Sequence, residues 1–117
     1  SYEPQDVVTG LTELSGAPLY FCITLAVVVL PFFEEVIFRG FLQPLLVQNF
    51  HDRGGVVLTA LIFSRLHGVG AFLPLFCLSL VLGGVMLRTQ RLSAVWALHA
   101  LFNGIQLFSL LQASTES

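Results

Sequence analysis

The sequence predicts an all-α bundle of membrane-spanning helices, and three observations carry that prediction. Of 117 residues, 56% are hydrophobic and 10% charged, against about 25% charged in an ordinary soluble domain; the mean hydropathy is +0.87. The apolar residues fall into long runs broken by short polar segments, and the runs do not alternate. Lipid offers an open sheet no partner for its edges, so runs of this kind are helices. Finally, there is no lysine, and the five basic residues are Arg39, Arg53, Arg65, Arg88 and Arg91.

Taken in order, residues 1–16 are mixed and polar and read as a loop with a short surface helix. The chain opens on Ser1 with no basic stretch leading into a cleavable apolar core, so no signal peptide is expected. The expectation is a segment cut from a longer membrane protein. The first apolar run spans about Ala17 to Val47. One crossing needs roughly 20 residues, so this run is expected to tilt or to break near Pro31 or Pro44. The second starts near Gly55 and reaches Gly68 or Gly70, short for a crossing. The third, about Ala71 to Leu87, holds Gly83 and Gly84, small residues that let helices approach closely. The fourth runs from about Leu92 to Leu111, and the QASTES tail is polar.

This gives a polar segment at 1–16, a membrane core at 17–112 and a tail at 113–117, in an integral, multi-pass membrane protein. Its helices run up and down with Arg53, Arg88 and Arg91 on one side. The positive-inside tendency makes that side cytoplasmic. A net charge of −2 excludes nucleic acid as a partner, because phosphate binding needs a basic surface. Cys22 and Cys77 lie in apolar runs and read as buried, unpaired thiols.

The chemistry sits where polar residues interrupt these runs. PFFEEVIFRG, residues 31–40, places Glu34 and Glu35 inside a hydrophobic helix. Each charge there costs about 2.5–3.5 kcal/mol by insertion scales. Glu35 and Arg39, at i and i+4, share a face and can pair, which leaves Glu34 with no local counter-ion. A lone carboxylate suits a general base; a salt bridge that only locks the helix would leave the second acid unexplained. FSRLH, residues 63–67, puts Phe63 and His67 one turn apart, with Arg65 read as interfacial or as a glutamate partner. WALHALFN, residues 96–103, stacks His99 and Asn103 at i and i+4. By itself each histidine is more often a satisfied polar residue than a catalytic one. Together the three clusters lie on separate helices, the third run bringing none, and polar groups at membrane depth face one another or water. One wet cavity lined by Glu34, Glu35, His67, His99 and Asn103 is the expected packing, an inventory suited to activating water.

These motifs resemble the CPBP intramembrane protease family, also called type II CAAX prenyl endopeptidase or Abi. EEVIFR is similar to its EExxxR signature, FSRLH to FxxxH and HALFN to HxxxN/D, in the same order, over about residues 17–112. The resemblance implies a larger membrane protease of which this chain holds a four-helix core. It implies that Glu34 activates the attacking water, that His67 helps to hold it, and that His99 and Asn103 stabilise the oxyanion. Glu35 and Arg39 then support the site. The implied partners are the lipid bilayer and a peptide or protein substrate, prenylated or membrane-embedded.

The family is often described as metal-dependent, which makes Glu34, His67 and His99 the candidate ligands of a Zn2+ ion. No HExxH helix is present, however, and the histidines lie on different helices, so metal-free glutamate chemistry is the preferred expectation. A serine protease is disfavoured because Ser64 and His67 point to different faces of one helix. An aspartyl protease is disfavoured because Asp6 and Asp52 are both in polar segments. The competing non-enzymatic reading is a membrane scaffold or immunity-type protein, or a proton-coupled carrier built on the same buried Glu/His cluster.

Overall fold

In a computed structural model, the described residues are 15–116 together with Thr9, Gly10 and Glu13. Most of the polar segment expected at 1–16 lies outside the described residues. Among the described residues the regular structure is entirely helical. Helix α1 spans Ala17–Thr24, α2 Leu30–Ile37, α3 Gln43–Leu66, α4 Phe72–Thr89 and α5 Leu92–Glu116. Wide π turns at Leu25–Val29 and Phe38–Leu42 join the first three, and a short 3-10 turn at Val69–Ala71 precedes α4. Three continuous stretches, Ala17–Leu66, Val69–Thr89 and Leu92–Thr115, are long and apolar enough to cross a membrane. The protein is an all-α membrane helix bundle.

The first stretch folds back on itself. At His51 the backbone leaves the helix at φ 66° and ψ 178°, dividing it into two arms, residues 17–50 and 52–66. The four expected rods are therefore present, with the reversal at one residue rather than across a loop at 51–55. Its tightness depends on Gly55, where a Cβ would sit 2.6 Å from the Val47 main-chain nitrogen. At 1.5 Å per residue the first arm reaches about 50 Å, more than the ~30 Å hydrocarbon core, and the second about 22 Å. The first arm must tilt, and the second stops short of a crossing.

Neither Pro31 nor Pro44 breaks its rod, so of the two expected alternatives, tilt or a break, the break does not occur. A helical proline lacks an N–H and presses its ring on the carbonyl four residues earlier. Those carbonyls belong to Val27 and Gly40, and each lies in one of the two π turns. The widened turns absorb the clash, so the helix continues. At the far end α5 also runs on past Leu111, through the polar tail to Glu116.

The packing is inverted relative to a soluble protein. Tyr20, Phe21, Leu66, Val69 and Leu73 are exposed, as expected for surfaces that meet acyl chains. The buried set is rich in polar groups: Glu35, Arg39, Gln43, Thr59, Ser64, Ser79 and His99. Thr59 and Ser64 return their hydroxyls to the main-chain oxygens of Gly55 and Ala60, both at 2.7 Å. Cys22 is half-buried and Cys77 exposed, and both are free. The thiols are thus unpaired as expected but not buried, because their runs face outward.

Helix α4 lies close against both arms at Gly83. A Cβ there would come 2.7 Å from Gln43 Oε1 and 2.8 Å from Val56 Cγ1, whereas one at Gly84 would meet nothing within 4 Å. Gln43 Nε2 donates to the Gly83 carbonyl at 3.2 Å. Gly83→Leu should therefore cost about 1–3 kcal/mol through overpacking, and Gly84→Leu should cost nothing. Thermal unfolding of the two variants in detergent checks this.

Candidate active site

Adjacent residues on a helix point about 100° apart, and α2 uses that angle to separate its two acids. Glu35 turns inward and Glu34 toward a cavity. Glu35 and Arg39 are both fully buried, with Arg39 Nη1 3.2 Å from Glu35 Oε1 and 3.3 Å from Oε2. Arg39 Nη2 donates to the Ser79 carbonyl at 2.8 Å and to the Ser79 hydroxyl. The guanidinium also lies 5.2 Å from the Phe63 ring centroid, within cation–π range. Ser79 corrects the expectation that the third apolar run contributes no polar group.

The buried pair in turn holds His99. Its Nδ1 lies 2.6 Å from Glu35 Oε2, and the side chain is 3% exposed. A carboxylate paired with arginine accepts, so Nδ1 donates and the ring presents Nε2 to the cavity. That Nε2 stands 3.7 Å from Glu34 Oε1. An unbroken chain of contacts, Ser79–Arg39–Glu35–His99, thus fixes one imidazole from three helices.

His67 caps the C-terminus of α3 in a non-helical conformation. Its Nδ1 donates to the Phe63 carbonyl at 2.7 Å, and its Nε2 lies 2.9 Å from Glu34 Oε2. The carbonyl can only accept, so Nδ1 already carries a proton. The Glu34–His67 hydrogen bond then requires one further proton between carboxylate and imidazole. Glu34 and His67 thus form a dyad with a proton between them. Both are partly exposed, at 29% and 25%, so reacting groups can approach them.

Asn103 enters from α5. Its Nδ2 donates to the Ala26 carbonyl at 3.5 Å, and Trp96 Nε1 donates to the Val28 carbonyl at 2.8 Å. Both acceptors lie in the π turn ahead of Pro31. A turn disturbed by proline leaves main-chain oxygens in need of donors, and α5 supplies them. A cavity of about 420 Å3 collects Glu34, His67, His99 and Asn103, with Phe63 and Gln106 also on its wall.

The structure brings together Glu34, His67, His99 and Asn103 around this cavity. Glu35 and Arg39 stand behind it and do not line it. Arg65 is exposed and pairs with neither glutamate. Ser64 donates its hydroxyl back to Ala60 and is buried away from His67. The three candidate metal ligands come together, with Glu34 2.9 Å from His67 Nε2 and 3.7 Å from His99 Nε2. Among the described residues no three His, Cys, Asp or Glu side chains are arranged to hold a metal ion. The residues missed from sequence are Ser79, Gln43 and Trp96. A signal existed for two of them: Glu35, Arg39 and Gln43 form an i, i+4, i+8 stripe, matched on α4 by Ser79 and Gly83 four apart.

An acid–imidazole pair, a second buried imidazole and an amide thus converge from separate helices on one cavity inside the bundle. A family model described as type II CAAX prenyl endopeptidase Rce1-like matches residues 16–105, and the chain belongs to that family. It is therefore a membrane protein of the CAAX endopeptidase type, whose substrates are proteins. No curated protein and no solved structure was found to match the chain.

The Arg39–Glu35 pair should be the most sensitive point of the fold. Removing one partner of a buried pair costs about 3–5 kcal/mol, because the other charge stays buried. Arg39→Leu is expected to lose that much and Ser79→Ala about 1–2 kcal/mol. Unfolding in mixed detergent micelles would rank the two variants.

Proposed function

We propose that the protein is an intramembrane endopeptidase that hydrolyses a peptide bond near the C-terminus of a prenylated or membrane-embedded substrate, using water activated by Glu34. The observation that carries this reading is the convergence of Glu34, His67 and His99 on one cavity, with the Glu34 carboxylate between the two Nε2 atoms.

In the proposed step Glu34, in its ionised form, takes a proton from water as the water oxygen bonds to the scissile carbonyl carbon. His67 Nε2–H holds the carboxylate in place, and the transferred proton stays on Glu34. Negative charge then collects on the carbonyl oxygen. It meets the free N–H of the Asn103 amide and His99 Nε2, which donates when His99 is the imidazolium that Glu35 supports through Nδ1. Collapse breaks the C–N bond. The proton taken up by Glu34 passes to the departing nitrogen, leaving a new carboxylate and a new amine. Donors fixed in advance at the developing charge are the main source of rate in such chemistry, and the chain from Ser79 to Glu35 holds His99 for that purpose. The apolar remainder of the cavity wall, Leu30, Leu75 and Leu110 among it, suits a greasy substrate.

A prenylated peptide ending in a CAAX sequence, offered to the protein in vesicles, tests the assignment. Glu34→Gln keeps the shape of a partly exposed side chain and removes the base, so folding should be unchanged and kcat should fall by about 10²–10⁴-fold. Cleavage at the wild-type rate by that variant would overturn the reading. A proton carrier built on the same cluster would instead collapse a pH gradient across the same vesicles, which a protease leaves intact.

A further inference from the structure

Arg65 is the one charged group near the site that the proposed chemistry leaves unused. It is exposed, and among the described residues it forms no ion pair. It sits in a shallow apolar groove with Leu61, Ile62, Leu66 and Phe72. An arginine on a lipid-facing helix is costly unless an anion meets it. Leu66 lines this groove and also the catalytic cavity. A chain that leaves the cavity over Leu66 therefore arrives at Arg65.

A CAAX substrate supplies such a chain and such an anion. The residues beyond its cysteine end in a free carboxylate, and three extended residues reach about 10 Å. No other arginine can meet that group. Arg39 is buried and committed to Glu35 and Ser79. Arg53 precedes His67 on the same arm by about 21 Å of helix, and Arg88 lies about 24 Å along α4 from Phe72. Arg91 follows that same far end. A guanidinium matches a carboxylate with two parallel N–H donors, and its alkyl stem can lie along the leucines of the groove.

We propose that Arg65 binds the terminal carboxylate of the substrate peptide, in the groove that Leu66 shares with the catalytic cavity. This rests on the protease reading and makes Arg65 a specificity-determining residue: it selects peptides whose terminal carboxylate is free.

The test uses the full chain carrying Glu34→Gln, so that peptide is bound and not consumed, in phosphatidylcholine vesicles. A fluorescent prenylated CAAX peptide is offered as the free acid and as the C-terminal amide. With Arg65 in place the acid should bind about tenfold or more tighter than the amide. Arg65→Ala should bring the acid down to the amide's affinity, and Arg65→Lys should keep part of the difference. Equal binding of acid and amide with Arg65 present would overturn the proposal, as would a preference that survives Arg65→Ala. So would a loss in Arg65→Ala that is the same for both peptides and appears only with phosphatidylglycerol in the vesicle, because the anion is then a lipid headgroup. Turnover of the acid peptide by the wild-type chain judges the protease reading separately. A protein that binds with the preference but never cleaves keeps the carboxylate site and loses the protease.

Discussion

The bundle depends on a buried ion pair. Glu35 and Arg39 lie one turn apart on a single rod and are both fully buried. In a protein whose exterior is already lipid, expelling apolar surface from water does little to hold helices together. Packing and interhelical hydrogen bonds must do so. Arg39 spends one nitrogen on its own helix and the other on Ser79 of α4, while Glu35 reaches His99 of α5. One pair therefore joins three rods. A buried pair of this kind is weak evidence for net stability, since desolvation offsets much of its attraction. What it provides is register: only one sliding position lets the guanidinium, the hydroxyl and the imidazole meet.

The prolines add a second constraint of the same kind. Pro31 would ordinarily break its helix, yet the π turn before it keeps the rod continuous and presents main-chain oxygens sideways. Trp96 and Asn103 take the oxygens of Val28 and Ala26. The defect in the first rod thus becomes a docking point for α5, and it places Asn103 beside Glu34. Asn103 is accordingly a packing residue, through one N–H, that also lines the cavity.

Much of this could be read from the sequence, because the cost of polar groups in lipid makes them conspicuous. Glu34, His67, His99 and Asn103 stand out against apolar neighbours, and helical spacing alone pairs Glu35 with Arg39 and His99 with Asn103. The four rods were visible for the same reason. What stayed hidden had no such contrast. Ser79 is a small hydroxyl in an apolar run, the sort of residue helices tolerate without consequence, and only the approach of α4 at Gly83 gives it a partner. Of the two outcomes the long first run left open, tilt or a break, local propensity could not exclude the break at Pro31, where donors from α5 support a π turn instead. The reversal at His51 was placed too broadly because Gly54 and Gly55 look like loop residues, when Gly55 serves to let one arm pass over Val47.

The two adjacent acids can now be understood as a division of labour set by helix geometry. One turn direction leads into protein, where Glu35 meets the buried Arg39 guanidinium and His99. The next, about 100° away, leads into the cavity, where Glu34 meets two imidazole nitrogens and no arginine. The contrast is what the site needs. The carboxylate bound to guanidinium is committed to holding its neighbours, and the one facing the histidines is left open to the cavity. A single glutamate could not both pin His99 from behind and face the cavity in front of it. Placing the two side by side on a rigid helix lets each respond to its own surroundings while their separation stays constant, which is why so apolar a chain carries both.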